Sequence, residues 1–269
     1  MFAKSRLAAA CLLTISAGAS QAATSLSIGD ITILGYSSDG TDQFAFVAWK
    51  TLDANTSISF TDRGWRNSVG KFTQNPSEEP GSGLSPADGN ATWTSGVQIT
   101  AGTVIIGTLA TSGTKTISWN IGTSTGDFGS TGMSSVGESI FAYTGAPATP
   151  TLIFGLYYSP TSWTTTDPGQ YSTTGSNLPT ALNVPNGSIW VGTSTAHENG
   201  YFSGGFKNQE ELLDYRARVL DKANWTVSND DATNNLSTQF GASQFETIPE
   251  PSVALLGLAG LLPFLRRRR

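Results

Sequence analysis

Few residues in this chain combine the types and spacing that chemistry needs. Asp39-Gly40-Thr41-Asp42 sets two carboxylates around a glycine turn. Oxygen ligands in a turn suit calcium, so Asp39 and Asp42 are the candidate ligands of a calcium site. An EF-hand loop would need further ligands at set spacing and a closing glutamate, and the segment lacks them. The same residues also read as an Asx-type turn between two strands. Asp230-Asp231 is a similar, weaker pair. Gly122-Thr123-Ser124-Thr125-Gly126 matches G-x-S-x-G, and Asp167 and His197 follow in the order of a Ser, Asp, His triad. A hydrolase elbow requires a strand before the serine and a helix after it. The next residues, Asp127-Phe128-Gly129-Ser130-Thr131-Gly132, form no stable helix, so the motif is read as a chance match. His197 is the sole histidine, which excludes a multi-histidine zinc site and leaves little for acid–base work. Trp163 stands in a polar loop, where an indole can stack on a sugar ring or pin the loop to the body. Carboxylate pairs for glycoside hydrolysis are numerous and no spacing selects one. No catalytic residue and no resident cofactor other than calcium is assigned.

The elements that must position these residues are mostly strands. Charged residues make up 13% of the 269, while Gly, Ser, Thr and Asn are abundant, as in loop-rich exported β proteins. Leu26 to Leu34, Phe44 to Trp49 and Ile58 to Phe60 read as three strands. The run Phe44-Ala45-Phe46-Val47-Ala48-Trp49 has the continuous apolarity of a strand buried on both faces. Residues 66–90 are polar, rich in Gly and Pro, and read as a long exposed loop. Short apolar runs at 92–99, 103–109, 116–121, 139–143, 152–158 and 189–192 continue the strand pattern, and residues 159–180 form a second long polar loop. Trp49, Trp119 and Trp190 fall in strand runs and are read as core. Asn208 to Asn224 is the one helix, with Glu210 and Glu211 in its first turn and Arg216, Arg218 and Lys222 toward its end. Residues 228–247 read as polar. The expectation is an all-β fold: an antiparallel β-sandwich over residues 23–248, with long loops and one α-helix toward the C-terminus.

The ends differ from the body. Residues 1–22 have the form of a signal peptide: Lys4 and Arg6, the apolar run Leu7 to Ile15, then Ser20-Gln21-Ala22 as a small-x-small cleavage site. The one cysteine, Cys11, lies in that leader, so the body carries neither a disulfide framework nor a thiolate metal site. Six of the fifteen basic residues also lie at the two ends. Nine remain in 23–248 against nineteen acidic residues, a charge near −10. So acidic a body lacks the basic footprint of nucleic-acid binding. At the C-terminus, Pro249-Glu250-Pro251-Ser252 is followed by the apolar run Val253 to Leu265 and by Arg266, Arg267, Arg268 and Arg269. As a helix the apolar run is about 20 Å long, short of the ~20 residues of a comfortable membrane span. The arginines orient it with the body outside the cytoplasm.

Residues 249–269 closely resemble the PEP-CTERM sorting signal of Gram-negative bacteria. The resemblance implies an exported protein whose tail is handled by exosortase, a membrane protease-transpeptidase. Pro249, Glu250 and Pro251 would be the recognition motif, and Arg266 to Arg269 the cytoplasmic stop. It further implies secretion machinery and exosortase as partners, a membrane helix before processing, and a place among extracellular polysaccharide in the cell envelope or biofilm matrix. The body resembles a β-rich domain of other exported bacterial proteins at Gly29-Asp30-Ile31, Ser38 to Val47 and Ile58-Ser59-Phe60-Thr61-Asp62-Arg63-Gly64-Trp65. It has a distant likeness to lamin-tail-type sandwiches. The expected function is a non-enzymatic matrix protein; the alternative is a secreted hydrolase or carbohydrate-binding protein.

Overall fold

The computed structural model describes residues 22–78, 86–205, 212–230 and 235–240. The signal-peptide residues before Ala22 and the whole 249–269 tail, with Pro249, Glu250, Pro251 and Arg266 to Arg269, lie outside the described residues. Among the described residues no helix is long and apolar enough to cross a membrane.

Fourteen strands make up the described fold. The first seven are β1 (Ile31–Ser37), β2 (Gln43–Ala48), β3 (Ser57–Thr61), β4 (Trp65–Arg66), β5 (Lys71–Phe72), β6 (Asn90–Thr94) and β7 (Val104–Leu109). The others are β8 (Ile117–Trp119), β9 (Thr123–Asp127), β10 (Glu138–Thr144), β11 (Thr151–Tyr158), β12 (Ser188–Trp190), β13 (Asn199–Phe202) and β14 (Trp225–Ser228). One six-stranded sheet has the order β14-β13-β1-β2-β7-β8 and a second the order β12-β11-β10-β3-β6-β9, with β4 and β5 as a separate ribbon. The fold is all-β, as expected. Its second sheet is mixed rather than antiparallel, because β12 runs parallel to β11.

The two large sheets share one apolar core. Phe44 and Phe46 of β2 meet Phe60 of β3 at ring distances of 5.1 and 4.9 Å, and Phe46 meets Trp93 of β6 edge-on at 5.2 Å. Tyr36 of β1 stacks on Tyr158 of β11 at 4.2 Å. Edge and offset contacts of this kind add to what aromatic burial already contributes. The strand β2 is buried along its whole length, as its apolar run predicts. Its outer face is covered by the helix α2 (Leu236–Phe240), whose Leu236 and Phe240 close on Gly35 and whose first amide donates to Gln43 Oε1 at 2.9 Å. This helix falls in the stretch read as polar, because two apolar residues four apart leave too weak a periodicity.

The second sheet is also covered on both faces. Along β10, Ile140 and Ala142 point into the main core, while Phe141 and Tyr143 join an outer cluster with Trp65, Phe72, Leu152 and Leu182. The stretches read as long loops supply that cover. Residues 66–90 are not wholly exposed: they carry the β4–β5 ribbon from Arg66 onward, and Thr73, Asn75 and Asp88 are buried. The expected helix at 208–224 is shorter than predicted within the described residues. The helix α1 spans Leu212–Val219, and a 3-10 turn at Lys222–Asn224 is capped by Asp221, which accepts from Ala223 N at 3.0 Å. Trp225 is buried beneath it and donates to the Val219 carbonyl at 2.7 Å.

Candidate functional site

The strand pairing of the second sheet brings three acids to one end. Thr61, the last residue of β3, pairs with Asn90 at the start of β6 on one side and with Phe141 in the middle of β10 on the other. Asp62 follows Thr61, Asp88 lies two residues before β6, and Glu138 opens β10. All three are buried, at 0%, 2% and 1% exposure. One carboxylate oxygen from each lies within 4.8 Å of those of the other two. Asp88 and Glu138 also line a cavity of about 290 Å³, together with Thr131, Ser134 and Thr173.

The backbone around the acids is tightly held. Asn75 clamps Asp88 like a missing strand: the Asp88 amide donates to Asn75 Oδ1 at 2.7 Å, and Asn75 Nδ2 donates to the Asp88 carbonyl at 2.8 Å. The next amide, of Gly89, donates to Asp62 Oδ1 at 2.7 Å. Gly89 must be glycine because a Cβ there would strike the Asp127 carbonyl. Gly129 is in the left-handed region (φ 71°), and a Cβ on it would strike the Ala87 carbonyl. Glu138 Oε2 accepts from the Ser134 amide at 2.9 Å and from the Tyr158 hydroxyl at 3.4 Å.

Two carboxylate oxygens are left over. Asp62 Oδ2 and Asp88 Oδ2 are buried and accept no hydrogen bond. Burial, then the charge of Asp88, pushes the Asp62 carboxyl well above the ordinary carboxylate range. Burial, then the charges of Asp62 and Asp88, does the same to Glu138, opposed by the Ser134 amide and the Tyr158 hydroxyl. Asp88 is pushed up to about 7 by burial, with Arg63 pulling it back. Arg63 is the cation that acts on both aspartates, yet its Nη2 donates to Glu78 at 3.0 Å and its Nε has no partner. Oxygen donors without His or Cys fit a hard cation, not zinc or copper.

The sequence-predicted residues lie elsewhere. Asp42 Oδ2 accepts from the Met133 amide at 2.9 Å, and burial raises its carboxyl to about 6. Asp39 stays in the turn beside it, and its charge contributes to that rise. Neither joins the acidic cluster. Asp230 lends its amide to Ser228 Oγ, and Asp231 lies outside the described residues. Ser124 sits in edge strand β9 opposite Trp93, with no helix after it, and its Oγ donates to the Ile117 carbonyl at 3.1 Å. Asp167 accepts from Arg66 Nε at 2.9 Å and from Ser68, which hold its carboxyl down to about 2. His197 lies in the turn before β13, its amide donating to Asn229 Oδ1 at 2.8 Å. Trp163 stacks on Tyr157 at 4.8 Å and meets Phe141 at 5.8 Å, so one indole face is used in packing the 159–180 loop.

Sequence reasoning passed over all three clustered acids. The signal available was an acid at or next to the end of three strand runs, at Asp62, Asp88 and Glu138. Comparison with protein-family models, with curated proteins and with solved structures returns no match.

Proposed function

We infer that this chain is an exported, surface-sorted protein of the extracellular polysaccharide or biofilm matrix, with a non-enzymatic β-sandwich body processed at its C-terminal tail. One observation carries the reading: Pro249-Glu250-Pro251-Ser252, a 13-residue apolar run from Val253 to Leu265 and four arginines follow each other without a spacer. An apolar run this short and flanked by arginine suits a temporary stop with the body outside the cytoplasm. The leader at 1–22 and a body free of cysteine suit export without disulfide assembly. In this reading exosortase recognises Pro249, Glu250 and Pro251, the membrane holds the tail before processing, and polysaccharide is the surrounding partner. Ser124 and Asp167 spend their polar atoms on structural bonds, which supports a body without acyl-transfer chemistry.

Mass spectrometry of the surface-associated protein tests the sorting step. The expected result is loss of residues after about Pro251, and retention of the tail when Pro249, Glu250 and Pro251 are all changed to Ala. A mature surface form that still carries Arg266 to Arg269 contradicts processing.

A second reading, a secreted glycoside hydrolase, draws on Asp88 and Glu138, two acids with raised pKa beside one cavity. The described lining of that cavity has no aromatic ring to stack on a sugar, which favours the first reading. Release of reducing sugar from matrix polysaccharide by the purified chain, abolished by Glu138→Gln, would establish the second.

A further inference from the structure

We propose that Asp62, Asp88 and Glu138 form a binding site for a divalent cation of the calcium class, joining the ends of β3, β6 and β10. Geometry is the first ground. An ion bound at calcium's oxygen distances, about 2.3–2.6 Å, holds its ligands no more than about 5 Å apart. The three carboxylate oxygens meet that limit, all lying within 4.8 Å of one another.

The second ground is the pair of empty lone-pair sets. Asp62 Oδ2 and Asp88 Oδ2 are buried and unpartnered, although the other oxygen of Asp62 and the backbone of Asp88 are held by short hydrogen bonds. A buried carboxylate oxygen without a partner is unfavourable, and folds avoid it unless something fills the place. Both bonds to Glu138 end on Oε2. Each acid is therefore fixed through atoms that leave part of its carboxylate open.

Charge is the third ground. Three carboxylates stand against one guanidinium, Arg63, which is bonded to Glu78. Burial is the main cause of the raised pKa of all three acids, and neighbouring carboxylates add to it at Asp62 and Glu138. A divalent ion removes it. The cavity beside Asp88 and Glu138 offers room for the waters that complete a six- to eight-fold shell, and Thr131, Ser134 and Thr173 give it a polar lining. Magnesium uses one or two carboxylates and keeps most of its water, so a three-carboxylate cage favours calcium. The inference concerns the body alone and does not depend on how the tail is sorted.

The test uses the full chain purified in detergent, stripped with EGTA and titrated with calcium chloride by calorimetry and thermal melting. One calcium per chain is expected, with a Kd of about 0.1–1 mM as in extracellular calcium modules. The Tm should rise by about 3–6 °C at tenfold excess over Kd. Asp88→Asn and Glu138→Gln should each abolish that rise, and Asp42→Asn should keep it. Both isosteric variants remove a buried charge, so they are expected to melt at or above the wild-type temperature in EGTA. If one fails to fold, the other together with the wild-type stoichiometry decides. A wild-type Tm indifferent to calcium, a rise that survives in Asp88→Asn or Glu138→Gln, or a rise lost in Asp42→Asn overturns the site.

Discussion

The molecule has two acidic regions, and they are built in opposite ways. Asp39 and Asp42 are three residues apart in one turn, and Asp42 is occupied by the Met133 amide. Asp62, Asp88 and Glu138 are 26 and 50 residues apart, come from three strand ends, and keep two buried oxygens open. Closeness in the chain marks a turn whose buried acid is met by a single amide from across the fold. Closeness made by sheet pairing concentrates charge that the local backbone does not neutralise. The second kind of site is where an ion does the most for the fold, because Arg63 is one cation against three buried carboxylates.

The sharpest way to break the comparison is to loosen the clamp on Asp88. Asn75→Ala leaves a buried amide and a buried carbonyl without partners and should lower stability by about 4 kcal/mol, read from chemical denaturation. A value near zero would mean that the loop before β6 is not held as described. Gly89→Ala forces a methyl against the Asp127 carbonyl and should destabilise by about 3 kcal/mol. Calcium should recover only part of that loss, since the strand end itself has moved.

The calcium dependence of titration distinguishes the two regions next, since burial also raises Asp42 to about 6. Burial raises Asp88 to about 7 and moves Asp62 and Glu138 upward as well. Between pH of about 4 and 7 the folded chain then holds more protons than the unfolded chain. In EGTA, stability should be full below the unfolded carboxylate pKa and fall as pH rises through about 7. Saturating calcium should flatten that fall, because metal and protons compete for the same oxygens. Melting curves across this range check both, and a calcium effect greatest at low pH would contradict the account.

Smaller effects belong to groups outside the cluster. Trp163→Ala removes the stack on Tyr157 and should cost about 2 kcal/mol without changing calcium binding. A glycan-array screen of the same variant separates packing from sugar recognition: unchanged glycan binding would leave Trp163 with its structural role alone. Asp42→Asn should change stability by about 1 kcal/mol at most, because an amide oxygen can still accept from Met133.

Much of the fold was legible before the structure. The unbroken apolar run in β2 marks a strand covered on both faces, and Gly-rich punctuation marks an all-β chain. Less legible was what covers the outer faces. The helix α2 has two apolar anchors in a polar segment, and the ribbon of β4 and β5 contributes two residues per strand, too few for any period to register. The acidic cluster was hidden for a different reason. Each acid sits where a strand meets a loop, a position at which Asp and Glu are ordinary. Their meeting depends on β3 lying between β6 and β10, and that order is a property of pairing between residues far apart in the chain, such as Thr61 with Phe141, rather than of any local pattern.

Anomalous diffraction from crystals of the chain grown with calcium tests the central claim most directly. The account predicts one peak about 2.3–2.6 Å from oxygens of Asp62, Asp88 and Glu138, at the edge of the cavity beside β10. A peak at Asp39 and Asp42 instead, or none at the three strand ends, would contradict it.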